Sequence, residues 1–303
     1  MIQKPQREII VQQGNVEEGY LHVTGGRVWY RIVGREQTRL PLLCVHGGPG
    51  VPHDYLTPME LLADERPVIL FDQLGCGNSD RPDDISLWHK DFFADEIDEV
   101  RAGLGLEELF FFGQSWGSML GAYYLINRTQ KGIRAVIFGG PVMNSKMMTD
   151  DCAVLVNQMS PENAKAVWDA EAAHDYSSPG FAAAIQEFYH KHVCRLDPWP
   201  DYVRRGEEMT GFPVYNTMWG PSEFLCTGNL QDFDMTPDLA KIQVPVLFTC
   251  GEYDECRPAT ISKFHMAVPY SKMAVIADAS HMHHVEKPQE YRQLVSAWLK
   301  RFE

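Results

Sequence analysis

Five consecutive residues, Gly113-Gln114-Ser115-Trp116-Gly117, carry the strongest chemical signal in the chain. They follow the apolar run Leu109-Phe110-Phe111-Phe112 and precede a helix-like segment over 118–127, so the order is strand, tight turn, helix. A turn this sharp strains the residue at its apex, tolerates only glycine at its flanks, and leaves the apical hydroxyl standing above the sheet. Ser115 is therefore the expected nucleophile. A serine hydroxyl is a weak nucleophile at its own pKa, so a base has to take its proton and a third group has to orient that base.

Two later loops offer those groups. The apolar run over 246–250 leads into Gly251-Glu252-Tyr253-Asp254-Glu255, and the run over 273–276 leads into Asp278-Ala279-Ser280-His281. Serine, then acid, then histidine is the chain order of serine α/β-hydrolases, with each residue on a loop after a strand. Asp254 is the candidate acid, with Glu252 and Glu255 as alternatives on the same loop. His281 is the candidate base, whereas His283 and His284 read as surface histidines. No Asp, Cys or His motif at metal-ligand spacing accompanies this histidine cluster, and no metal is expected.

The loop His46-Gly47-Gly48-Pro49-Gly50 follows the apolar run over 42–45. Its glycines let the backbone approach a developing negative charge, so the Gly48 amide and the Trp116 amide are the expected oxyanion donors. The segment from Asp72 to Ser79 contains Gly75 and Gly77 after another strand, but it lacks a full phosphate-binding pattern and reads as a structural loop. His190, His192 and Cys194 read as part of an ordinary helix or loop.

These residues need a framework. Apolar runs bounded by turn residues occur at 20–23, 28–33, 42–45, 68–71, 109–112, 135–138, 246–250 and 273–276, and helix-length segments at 55–63, 91–104, 118–127, 259–268 and 289–302. The alternation predicts an α/β fold: a mostly parallel sheet of about eight strands covered by helices, with an antiparallel pair at its start. That pair is joined through Thr24-Gly25-Gly26-Arg27, where Gly-Gly suits a hairpin turn. Over 141–236 the alternation stops and the text becomes helix-like, polar and rich in Trp, Tyr and Met. The expected division is a core domain of 1–140 and 237–303 with a helical cap, 141–236, inserted over the sheet.

Bulk properties narrow the partners. A formal charge of −14 over 303 residues disfavours nucleic acid and anionic membranes, both of which need clustered Lys and Arg, and is compatible with a cationic ligand. The N-terminal stretch 1–19 is polar and lacks the apolar region of a secretory signal, so a cytoplasmic address is the default expectation. Seven scattered cysteines without a C-x-x-C pair read as reduced, mostly buried thiols.

Taken together, the chain resembles the proline iminopeptidase family of serine α/β-hydrolases, and within it the tricorn-interacting aminopeptidases most closely. The likeness rests on His46-Gly47-Gly48-Pro49-Gly50, Asp72-Gln73-Leu74-Gly75-Cys76-Gly77-Asn78-Ser79, Gly113-Gln114-Ser115-Trp116-Gly117 and Gly251-Glu252-Tyr253-Asp254-Glu255. It extends to Phe188-Tyr189-His190-Lys191-His192 and Trp219-Gly220-Pro221-Ser222-Glu223-Phe224, outside the motifs that general hydrolases share. The resemblance implies that Asp254 is the acid of the triad and that Glu223 and Glu255 bind the free α-amine of the substrate. Charge-assisted hydrogen bonds of this kind are worth roughly 1.5–3 kcal/mol each. Trp219 and Phe224 are candidates to line the pocket for the first side chain. The implied activity is a serine aminopeptidase that acts on short peptides, without metal or organic cofactor. An amidase or esterase acting on amino-acid amides is the nearest alternative, since only the leaving group differs. A noncatalytic receptor on the same fold is a more distant one.

Overall fold

The computed structural model describes residues 5–303. Its strands are β1 (Arg7–Gln13), β2 (Val16–Val23), β3 (Gly26–Val33), β4 (Leu42–Val45), β5 (Val68–Phe71), β6 (Leu109–Gln114), β7 (Ile133–Gly139), β8 (Val246–Gly251) and β9 (Ser271–Ile276). They form one nine-stranded sheet in the order β1-β2-β3-β5-β4-β6-β7-β8-β9. The pairings from β1 to β5 are antiparallel, and those from β5 through β4 to β9 are parallel.

Alternate side chains of the central strands divide the core in two, as the two-residue period of a strand dictates. Leu43, Val45, Ile69, Phe71, Phe111, Val136 and Phe138 join one apolar cluster, with Ile97 and Leu120 from helices. Leu42, Cys44, Val68, Leu70, Phe110, Phe112 and Ile137 join the other, with Met59 and Trp298. A sheet covered on both faces can use uninterrupted apolar strands, and β4, β5, β6 and β8 are buried along their whole length.

The helices are α1 (Lys90–Leu104), α2 (Trp116–Asn127), α3 (Ser145–Val156), α4 (Pro161–Ala173), α5 (Pro179–Phe188), α6 (Asp201–Glu208), α7 (Phe212–Met218), α8 (Pro258–Ala267), α9 (His283–Glu286) and α10 (Pro288–Leu299). All of α3 to α7 lie between β7 and β8, where the strand–helix alternation of the sequence stops. The sheet itself is not interrupted there, since β7 and β8 are paired neighbours.

Two expectations need correction. The sheet has a strand more than expected, because β1 was not foreseen; all its residues are exposed, so it lacks the alternation by which a half-buried strand is recognised. The helix expected at 55–63 is a 3₁₀ segment, His53–Leu62, with Pro58 inside it, whose missing N–H breaks the α pattern. All seven cysteines are buried free thiols. Among the described residues no helix is long and apolar enough to cross a membrane.

Candidate active site

Ser115 occupies the turn between β6 and α2 with φ 53° and ψ −120°, a strained conformation for a residue with a side chain. The surroundings enforce it. The Ser115 N–H donates to Gly139 O at 2.9 Å. A Cβ on Gly113 would be driven into the Gly117 carbonyl, and one on Gly117 into the Val45 carbonyl at the end of β4. Only glycine at both positions lets the strand, the helix and the neighbouring strand close around the serine.

The loop after β9 carries His281, whose Nδ1–H donates to Asp254 Oδ1 at 2.8 Å. Asp254, on the loop after β8, also accepts the Cys256 N–H at 2.9 Å and the Gly251 N–H at 3.3 Å. Space for the imidazole comes from Gly140, at φ +50°, where a Cβ would lie 2.5 Å from the ring. A π-helical turn, Tyr189–Val193, ties the two loops together. His192 O accepts the His281 N–H at 3.0 Å, Val193 O accepts the Met282 N–H at 2.8 Å, and His192 Nδ1–H donates to Tyr253 O at 2.8 Å.

Ser115 and His281 share the wall of one cavity of about 250 Å³. No hydrogen bond joins the Ser115 hydroxyl to His281 among the described residues; His281 Nε2 instead faces Glu255 Oε1 at 3.5 Å. Such a bond commonly tightens only with substrate in place. Gly48 lines the same cavity at φ +107°, where a Cβ would come within 2.6 Å of the Gly50 and Val51 nitrogens. The Gly47 N–H is held by the Tyr55 hydroxyl at 2.6 Å, which in turn donates to Gln114 Oε1 at 2.6 Å. Trp116 opens α2, where an amide has no acceptor within the helix.

Two further carboxylates reach the cavity. Glu223, half-buried on the stretch after α7, accepts the Tyr215 hydroxyl at 2.7 Å and the Tyr189 hydroxyl at 3.5 Å. Glu255 is buried, and its Oε2 has no partner among the described residues. Burial pushes Glu255 well above the usual carboxylate range, and the nearby Glu223 charge adds to the rise. Burial also raises Glu223, against the pull of the Tyr215 hydroxyl. For His281 burial works against the charged form, but Asp254, then Glu255 and Glu223, outweigh it and lift the imidazole to about 9. The site is thus an imidazole among three carboxylates, one of them with an unused oxygen.

A family model for the alpha/beta hydrolase fold matches residues 41–288. Over 285 residues the chain is 37% identical to a proline iminopeptidase of Heyndrickxia coagulans, covering 93% of this chain and 98% of that one. The chain belongs to the proline iminopeptidase family of α/β-hydrolases. The crystal structure of a proline iminopeptidase from Mycobacterium smegmatis superimposes with a TM-score of 0.87 at 32% identity, covering 94% of this chain and 98% of the other. The crystal structure of VinJ does so with a TM-score of 0.90 at 32% identity, covering 94% and 99%.

Within this proline iminopeptidase fold, some candidates stand elsewhere than expected. Trp219 and Phe224 do not line the cavity. Trp219 is buried with its Nε1–H on Glu223 O at 3.4 Å, and Phe224 packs edge-on to Phe188 with ring centroids 4.9 Å apart. Their packing fixes the segment that carries Glu223, while Tyr189, Trp199, Phe212 and Tyr215 supply the aromatic walls. His283 and His284 are not surface histidines, since both are fully buried. His283 Nε2 meets Thr249 Oγ1 at 3.0 Å, and Thr249 Oγ1 meets the Tyr291 hydroxyl at 3.0 Å. Burial lowers His283 to about 4, which keeps it neutral beside Asp254. Glu252 accepts the Asp278 N–H at 3.0 Å on the exposed side of its loop, away from the imidazole. Gly140 and Tyr215 carry no mark of these roles in the sequence, and Tyr189 carries only its place in the Phe188–His192 motif.

Proposed function

We propose that this family member is a serine aminopeptidase that releases an unblocked N-terminal residue, proline or another small or hydrophobic one, from short peptides through an acyl-enzyme. Ser115 attacks the carbonyl carbon while His281 Nε2 takes its proton, and Asp254 holds the ring and offsets its charge. The Gly48 and Trp116 amides receive the oxyanion. Collapse of the tetrahedral intermediate passes the proton from His281 to the leaving amine, and water repeats the sequence to free the acid. Glu223 and Glu255 hold the substrate's ammonium and set the register, so that the first peptide bond reaches Ser115. The cap, 141–236, closes the far side of the cavity over a core of 1–140 and 237–303.

The observation that carries this reading is a pair of desolvated carboxylates, Glu223 and Glu255, in the same cavity as Ser115 and His281, with Glu255 Oε2 unpartnered among the described residues. Carboxylates placed in this way are costly unless a cation meets them. The test is a panel of aminoacyl anilides with and without an N-acetyl group. Acetylation should lower kcat/KM by roughly a hundredfold or more, the equivalent of two lost charge-assisted hydrogen bonds. Comparable turnover of both forms would remove the amine-binding role. Labelling of Ser115 by a fluorophosphonate, checked by peptide mass mapping, tests the nucleophile separately.

A further inference from the structure

Glu255 is asked to do two incompatible things in the free enzyme. Its Oε1 stands 3.5 Å from His281 Nε2, the nitrogen that has to receive the Ser115 proton. Its other oxygen is buried without a partner among the described residues. With Asp254 already on Nδ1 at 2.8 Å, the ring is clasped from both nitrogens by carboxylates. A lone pair on Nε2 is what general-base catalysis requires, and a carboxylate facing that nitrogen favours a proton there instead.

We propose that Glu255 couples amine recognition to base activation: in the free enzyme His281 Nε2 holds a proton that the Glu255 carboxylate, 3.5 Å away, stabilises by charge, and a seated substrate ammonium draws Glu255 to itself and expels that proton to solvent. This rests on the amine-binding role given to Glu223 and Glu255 above. The balance is simple. The ammonium enters with its positive charge, one proton leaves, and the site keeps its net charge. Nε2 then holds a free lone pair. The Ser115 hydroxyl proton moves onto it as Oγ bonds to the acyl carbon, and the same proton later leaves with the departing amine.

The charged and titratable groups around the ring are consistent with such a switch. Asp254 and Glu255 approach from the loop after β8 and Glu223 from the stretch after α7, and all three favour the imidazolium. His283 and His284 approach from α9 and are held neutral by burial. His192 of the π-helical turn offers its backbone carbonyl, and burial lowers its ring as well. Glu223 and Glu255 are therefore the acidic groups that an incoming cation can neutralise without disturbing Asp254. An N-blocked substrate or a plain ester enters the same cavity but leaves the proton where it is. Discrimination then appears in kcat as well as in KM.

Calorimetry on the wild-type enzyme tests this with L-prolinol, which has the free amine and no acyl carbon, and with its N-acetyl form. Titrations at pH 7.5 in buffers of different ionisation enthalpy count the protons exchanged. The expectation is release of close to one proton per L-prolinol bound and weak or no binding of the acetyl form. Amine-selective binding without proton release would overturn the coupling and leave amine recognition standing. Binding that ignores acetylation would overturn both. In Glu255→Gln, hydrolysis of p-nitrophenyl acetate at pH 7 should rise by roughly threefold or more as the base is freed, while free-amine anilides lose turnover. A fall of both activities together would assign Glu255 a merely structural part, and the wild-type titration decides the matter if the variant fails to fold.

Discussion

Glu223 takes two phenol hydroxyls on one carboxylate, from Tyr215 and Tyr189, and this fixes its direction before any substrate arrives. Replacing it with Gln preserves shape but removes the charge an ammonium needs. Glu223→Gln should raise KM for a free-amine dipeptide by roughly tenfold or more, while a plain acyl ester changes by about twofold or less. Steady-state kinetics on the two substrates checks this, and equal effects on both would refute the assignment. At this scale the sequence pointed to Ser115 and His281, because each follows a strand and the chemistry demands those residue types, whereas the choice of Asp254 over Glu252 and Glu255 on one loop came from the family resemblance. It was silent on Tyr189, Tyr215 and Gly140. A hydroxyl acquires its partner only when distant segments meet, and a glycine that makes room for an imidazole looks like any other glycine. His283 and His284 misled for the same reason: their neighbours Thr249, Tyr291 and Tyr55 are remote in sequence.

Among the elements, the β6–α2 turn is the most constrained. Gly117 abuts the Val45 carbonyl, so a side chain there forces β4 and α2 apart. Gly117→Ala should lower stability by about 1–3 kcal/mol or more, as overpacking against backbone does. Chemical denaturation followed by circular dichroism measures it, and an unchanged midpoint with full activity would show that the turn has slack. The elbow was readable because its glycines, serine and flanking apolar run are contiguous. The π-helical turn Tyr189–Val193 was not, since an i→i+5 turn has no sequence pattern of its own; here its carbonyls take two N–H groups of the His281 loop while the His192 ring meets the Tyr253 carbonyl of the other loop. β1 escaped notice because all its residues are exposed, which leaves no alternation of apolar and polar side chains to read.

The whole molecule carries a titration unrelated to catalysis. Glu96 of α1 is buried, accepts the Leu74 N–H at 2.9 Å, and has its Oε2 unpartnered among the described residues. Burial lifts it to about 8 from an ordinary value of 4.5, so the folded state binds a proton that the unfolded state gives up between those limits. Its contribution is thus present at low pH and lost as pH rises toward 8 and beyond. Glu96→Gln should raise Tm by roughly 5 °C at pH 8.5 and leave it little changed at pH 5. Equal shifts at both pH values would place the carboxyl in its ordinary range. Fold class was legible at this scale because apolar strands alternate with helices along most of the chain. A buried acid on a helix of ordinary polarity carries no such mark.

The strands β7 and β8 lie side by side and parallel, so everything from α3 to α7 is a detour that departs from and rejoins the same seam of the sheet. The nucleophile, acid and histidine stand on loops of the sheet, whereas most of the residues that line the cavity belong to the detour. A different detour grafted at that seam would have to supply its own acceptors in place of the His192 and Val193 carbonyls, because the loop that carries His281 leans on them.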